Sequence, residues 1–467
     1  MERRGLGQER CRLRRELELI GMSNQPNTEQ VKSEFSLREA ILPPKLRDWR
    51  AKLSEKAKQE KKFRFYSLYG LVSHPETLKA AWMQVRANGG SPGVDGISIE
   101  KIEIEDSEAF LERIAQELRE KTYRTGAVRR AYIPKANGKM RPLGIPNVRD
   151  RVVQAAVLMI LEPIFEADFL DCSHGFRPGR SAHDALEVIR ENLSKGLCTV
   201  IDADMEGYFD SIPHDKLMAC LRMRVVDGSV LRLIKQWLDA PVEEQDENGK
   251  KRRKRNTQGT PQGGVISPLL ANIYLHWFDH VFHTKNGPAQ WAKAVLVRYA
   301  DDFVVMTRQG NNRVQEFVTS KIEGWMGLKI NREKTRVINL QQEGQILDFL
   351  GFSFRLDRDL HGRNKRYWNM HPSKKSLARE RERLREMTSC RQNHTPLPEL
   401  IERLNRHLRG WSNYYRPGYS RCAFRHVNRF VRERLGRHLQ RRSQRAWKHS
   451  KDETIYSQLA RMGLIYL

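Results

Sequence analysis

A chain of 467 residues is long enough for two to four compact units, and its 84 Lys and Arg against 57 Asp and Glu, a formal charge of +27, direct it toward a polyanionic partner, nucleic acid first. The six cysteines, Cys11, Cys172, Cys198, Cys220, Cys390 and Cys422, are scattered with no CxxC pair, which argues against a zinc site and a disulfide framework. No run of about eighteen apolar residues exists and the N-terminus lacks the apolar stretch of a secretory signal, so a protein working in a reducing cytosol, with no membrane partner, is expected.

In chain order, the first 35 residues are polar and carry few large apolar side chains, which predicts a mobile tail within a basic segment 1–60. An apolar-periodic pattern begins at Phe63 and runs into the turn-rich Asn88-Gly-Gly-Ser-Pro-Gly-Val-Asp-Gly96. From about 97 to 355, strand-like runs at 127–134, 199–203, 294–297 and 303–307 alternate with helical stretches such as 152–165, the pattern of a mixed α/β body. Beyond His371 the strand signal ends. Ile401, Leu404, Leu408, Trp411 and Tyr415 share one helical face, and Val427, Val431, Leu435 and Leu439 share another, so the C-terminal unit reads as a helical bundle. Residues 371–467 carry 23 Lys and Arg against 8 acids, and arginines at helical spacing opposite an apolar stripe make a coherent binding face.

Two acidic clusters carry the chemistry. Tyr299-Ala300-Asp301-Asp302 places two acids at a turn between apolar strands, and Asp202-Ala-Asp204-Met-Glu206-Gly-Tyr-Phe209-Asp210 again runs an apolar strand into carboxylates. Adjacent carboxylates repel, so either a cation compensates them, with Mg²⁺ the oxygen-preferring candidate, or the pair is a plain polar turn, where Asp is common. Nucleotidyl transfer uses two such ions about 4 Å apart, and three carboxylates from two strand ends suffice to hold them.

The order of the blocks Gly93-Val-Asp-Gly96, Tyr132-Ile-Pro-Lys135 through Arg141 to Pro146, His174-Gly-Phe-Arg-Pro178, the Asp204 segment, Gly259-Thr-Pro-Gln262-Gly to Pro268, Tyr299 to Asp302, Gly327-Leu-Lys-Ile-Asn331 through Lys334, and Phe349-Leu-Gly-Phe352 resembles the reverse transcriptases encoded within bacterial group II introns. The resemblance covers nearly all of residues 60–450. It implies a right-hand polymerase of α/β (α+β) class: fingers and palm over 61–370, with an N-terminal extension 61–92, then an all-α thumb and maturase bundle over 371–450 and a C-terminal tail 451–467.

By that resemblance Asp204, Asp301 and Asp302 are the carboxylates for two Mg²⁺ ions, with Mn²⁺ as a substitute, while Asp202 stands behind them and Asp210 supports the fold. Lys135 and Arg141 clamp the triphosphate of the incoming nucleotide, where fixed positive charge offsets the charge moving to pyrophosphate. Phe209 leaves no room for a 2′ hydroxyl, which selects deoxynucleotides, and Gln262 touches the same nucleotide. Lys334 and Tyr299 are expected near primer or template. Gly410-Trp411-Ser-Asn-Tyr414-Tyr415 is similar to the family's maturase region, its aromatics assigned to packing and the neighbouring arginines to RNA.

The implied partners are the group II intron RNA, an RNA template, a DNA primer, deoxynucleoside triphosphates and target DNA, with the protein acting as monomer or homodimer. Ending soon after Trp447, the chain is expected to lack second-strand nicking and to take its primer from elsewhere. Two alternatives share the motifs: a splicing-only RNA-binding maturase and a reverse transcriptase recruited to host defence. Intact carboxylates with Phe209 and Gln262 speak against the first, and the maturase pattern speaks against the second.

Overall fold

The computed structural model describes residues 39–134, 140–245, 250–310, 312–359, 365–442 and 452–467. Lys135 and the expected mobile tail 1–35 lie outside them. In chain order the strands are β1 (Val128–Pro134), β2 (Met140–Ile145), β3 (Thr199–Ala203), β4 (Val242–Gln245), β5 (Lys251–Lys254), β6 (Val295–Tyr299), β7 (Asp302–Thr307), β8 (Arg336–Asn339), β9 (Leu347–Phe349), β10 (Phe352–Arg358) and β11 (Arg366–Pro372).

The central sheet has the order β6-β7-β3-β8, antiparallel throughout. Its strands read apolar in succession because both faces are covered. Successive side chains point to opposite faces: Val200, Val297, Val304 and Met306 enter a core shared with the helix Ala182–Ser194 and the C-terminal helices, whereas Ile201, Ala203, Leu296, Phe303 and Val305 enter a second core with the helices Val148–Glu166 and Ser267–His283. The helix Ala182–Ser194 starts at a capping box in which the Ser181 hydroxyl and the Asp184 carboxylate exchange hydrogen bonds with each other's backbone.

A second sheet, ordered β2-β1-β4-β5, carries the β1–β2 hairpin antiparallel, with β1 parallel to β4. The basic stretch Lys251–Lys254 forms the edge strand of this sheet, with Lys251 and Arg253 both reaching Glu243, at 3.2 and 2.9 Å. A third sheet, β11-β10-β9, leads into the C-terminal helices. At its Leu350-Gly351 turn, Tyr414 Oη donates to Leu350 O at 2.7 Å, and a Cβ on Gly351 would lie 2.8 Å from Tyr415 Oη.

Two segment boundaries differ from the sequence reading. The helix Pro44–Gln59, expected within a separate segment ending at 60, packs on Val148–Glu166 through Leu46 and Ala57, and its buried Arg50 pairs with Glu162 at 2.8 Å. The packed body therefore begins before residue 61. The expected tail contains a helix, Ile455–Arg461, with Leu459 and Leu464 buried. Asn405 and Asn428 each hydrogen-bond donors and acceptors of the backbone between Gly463 and Leu467. Buried leucines and satisfied backbone groups explain the docking of a segment too short to be stable alone. In the bundle itself the expected apolar faces are the buried ones, from Ile401 to Tyr415 and from Val427 to Leu439.

Candidate active site

The site is built where β3 and the β6–β7 hairpin end together. Ala203 pairs with Phe303 and Tyr299 with Asp302, which brings Asp204, the residue following β3, to the sheet end that carries Asp301 and Asp302. The turn residue Ala300 takes φ +57°, a left-handed conformation that is strained for a residue with a Cβ.

A buried network holds that turn. Arg298, at the end of an apolar strand, is fully buried and forms a two-point ion pair with the equally buried Asp279 of the helix Ser267–His283, at 2.5 and 2.9 Å. Arg298 Nη1 also donates to Ala300 O and to Asn272 Oδ1, both at 2.9 Å, and Asn272 Nδ2 donates to Gly175 O at 2.8 Å. Gly175 lies flat on the turn, for a Cβ there would overlap the Ala300 amide nitrogen. The expected candidates did not include Arg298, Asp279, Asn272 or Gly175. The available signal was a charge of each sign interrupting an apolar run.

Crowding raises the carboxylates. Asp302 is pushed up to about 7, first by the protein packed around it and then by Asp301, Asp204 and Asp202, although the residue is exposed at the sheet end. Asp202 is pushed up to about 6, again mainly by burial, against the pull of Arg336 3.7 Å away. Asp301 is raised by burial and by Asp204, with Arg141 of β2 acting in the opposite sense.

Lys334 supplies a local counter-charge, its Nζ donating to Asp204 Oδ2 at 2.8 Å. It is aimed there because Asn331 N donates to Asp204 O and the Asn331 carboxamide caps the amides of Glu333 and Lys334. Among the described residues no three His, Cys, Asp or Glu side chains are disposed as a closed set of metal ligands. Asp301 and Asp302, both raised beside Asp204, offer carboxylate oxygens of the kind a hard divalent cation takes, and such a cation would remove the repulsion.

Two of the nucleotide-side candidates, Phe209 and Gln262, meet at one turn that also reaches β2. Thr260 N donates to Phe209 O and Gly144 N to Gln262 O, both at 2.7 Å, so the Thr260–Gly263 turn joins the Phe209 segment to β2, the strand of Arg141. Gly144 and Gly263 allow this approach, since a Cβ on Gly263 would stand 2.6 Å from Gly144 O. Phe209 and Gln262 are half-buried and Arg141 is exposed. Tyr299 packs partly into the core shared with the C-terminal helices, while Glu206 and Asp210 are exposed.

Known proteins share this plan. Residues 133–354 match the family described as reverse transcriptase (RNA-dependent DNA polymerase), and residues 377–455 match the group II intron, maturase-specific domain. The protein YkfC of Escherichia coli K12 is 35% identical over 346 residues, covering 67% of this chain and 88% of that one. The group II intron-encoded protein LtrA of Lactococcus lactis subsp. cremoris is 40% identical over 223 residues, 46% of this chain and 35% of LtrA. An uncharacterized 91 kDa protein in the cob intron of Schizosaccharomyces pombe is 32% identical over 300 residues, 53% of this chain and 35% of that one. The chain thus spans most of YkfC and about a third of the two intron proteins.

Proposed function

The chain belongs to the group II intron reverse transcriptase and maturase family, and from that premise we propose that it copies RNA into DNA at the open end of the central sheet and binds intron RNA through its basic C-terminal helices. What supports the polymerase reading above all is the arrival of Asp204, Asp301 and Asp302 at one sheet end, crowded enough to raise Asp302 to about 7.

In this reading Asp204, Asp301 and Asp302 hold two Mg²⁺ ions, or Mn²⁺ in their place, which when bound supply the charge that activates a primer 3′ hydroxyl and stabilises departing pyrophosphate. The protein's own residues position the reactants. Arg141 and Lys135 fix the triphosphate by charge-assisted hydrogen bonds. Phe209 closes the space a 2′ hydroxyl would occupy. The Gln262 turn, bonded to both Phe209 and β2, keeps sugar and triphosphate contacts in one register. The network beneath Ala300 holds the hairpin of Asp301 and Asp302 rigid, so catalysis does not wait on reorganisation.

Splicing follows from differential binding: a basic bundle that favours the active fold of the intron RNA shifts the RNA population toward it. Target DNA and a DNA primer are further partners if the same protein supports intron mobility, with a second copy of the chain as a candidate partner in a homodimer. No helix among the described residues is long and apolar enough to cross a membrane, and we place the activity in the cytosol, at the nucleoid when DNA is the target.

Primer extension on an RNA template with Mg²⁺ and deoxynucleotides tests the polymerase. Extension by the wild type, lost in Asp301→Ala and absent with ribonucleotides, is the expected result. Tight intron RNA binding by a wild type that does not extend would replace this reading with the splicing-only maturase.

A further inference from the structure

Phe176 is an aromatic side chain that the mechanism above leaves unused. It is 53% exposed and its backbone takes φ +57°, a left-handed conformation costly for any residue with a Cβ. A lone exposed apolar side chain carries little meaning. This one is locked from both sides. Gly175 before it is pressed on the Tyr299-Ala300 backbone, and Arg177 after it is buried, paired with Glu166 at 2.9 Å and donating to the carbonyls of Leu170 and Ser173 at 2.7 and 2.9 Å. With both neighbours fixed, the backbone of Phe176 is held in this conformation, and strain that the surroundings enforce in this way clusters at functional sites.

The ring points at Phe209. The two stand edge to face, centroids 6.2 Å apart at 78°, and Phe209 meets Tyr208 at 5.4 Å and 68°. Tyr208 is itself fixed, buried with its hydroxyl donating to Ala271 O at 2.6 Å. Phe209 therefore contacts both a ring on its own segment and a ring from a distant one.

We propose that Phe176 is a positioning residue that sets the choice of deoxynucleotide over ribonucleotide by holding the Phe209 ring in place. This rests on the polymerase reading and on the sugar-facing role of Phe209. Edge-to-face contact fixes ring orientation as well as adding attraction. Without Phe176, the Phe209 ring can turn toward the space that ring leaves, which opens room for a 2′ hydroxyl.

The test is single-nucleotide incorporation by the full-length protein on an RNA template and DNA primer with Mg²⁺, comparing kcat/KM for dCTP and CTP. Phe176→Gly is the safest variant, since glycine accepts φ +57° without strain. The preference for dCTP should fall roughly two- to tenfold in Phe176→Gly and Phe176→Ala, the range expected from losing one aromatic pair, chiefly through a gain with CTP. It should persist in Phe176→Tyr, which keeps the ring. In Phe209→Ala, adding Phe176→Gly should leave the preference unchanged, because the effect runs through Phe209. A Phe176→Gly enzyme that keeps the wild-type ratio, whether its rates stay or fall equally with both nucleotides, would overturn the proposal while leaving the polymerase reading intact. No incorporation by the wild type overturns both.

Discussion

Arg298 and Asp279 form an ion pair with no exposed surface on either side chain, and the same guanidinium holds Ala300 O directly beneath the Asp301-Asp302 turn. A buried pair broken on one side leaves an uncompensated charge, which costs about 3–5 kcal/mol. Asp279→Ala should therefore lower the urea midpoint strongly, followed by far-UV circular dichroism. Arg298→Met with Asp279→Leu should recover most of that stability, since apolar replacement of a buried pair is often neutral or better. The double variant should still extend primers poorly, because Ala300 O has lost its donor. Full activity in a stable double variant would show that the pair serves folding alone.

Gly175 offers a second way to disturb the turn without touching a carboxylate. A methyl group there must displace the Ala300 amide or the loop that carries Gly175. Displacements of about 1 Å at a reacting centre can lower rates on the order of a hundredfold, and forcing a methyl into a packed site costs about 1–3 kcal/mol. Gly175→Ala is expected to cut primer extension far more than it lowers Tm. Equal, small effects on both would mean that the loop yields and the turn does not.

The architecture was legible where pattern and chemistry coincide. Apolar runs flanking acidic clusters located β3, β6 and β7, and helical spacing found the buried faces from Ile401 to Tyr415 and from Val427 to Leu439. Gln262 and Phe209 were chosen on resemblance, and the backbone bonds that join their segments are long-range pairings that spacing does not encode. The buried network is illegible in the sequence for the same reason. Arg298 and Asp279 are nineteen positions apart on a strand and a helix, and each alone reads as a stray charge. Docking of Ile455–Arg461 was hidden because a short polar-looking helix gains its stability from Asn405, Asn428 and buried leucines elsewhere in the bundle.

His174 gives a pH dependence with a definite sign. It is buried with neither ring nitrogen hydrogen-bonded, and burial, aided by Arg180, lowers it from 6.5 to about 4. Below about pH 6.5 the unfolded chain takes up a proton that the folded chain refuses, so stability is lost as pH falls and the loss accumulates down to about 4. The full effect is about 3 kcal/mol at most. Asp150, Glu166 and Asp168, raised by burial, act in the opposite sense over the acid range. Comparison with His174→Gln isolates the histidine: the wild type should lose more Tm than the variant between pH 7 and 5, and parallel losses would count against a neutral buried imidazole.

Lys334 and Asp204 share a 2.8 Å ion pair at the place proposed for metal binding. The ammonium and a divalent cation want the same carboxylate, so the lysine must yield part of its hold when the cation arrives. Lys334 is well exposed, which makes its grip modest, as exposed pairs are worth roughly 1 kcal/mol or less. Replacing it with Met should lower the Mg²⁺ concentration for half-maximal primer extension by a few-fold. Maximal rate is a separate readout, for a lysine at that end of the sheet can contribute there as well. Metal titrations of wild type and Lys334→Met at constant ionic strength decide the point: an unchanged or higher half-saturation would mean that the lysine does not compete for Asp204 in solution.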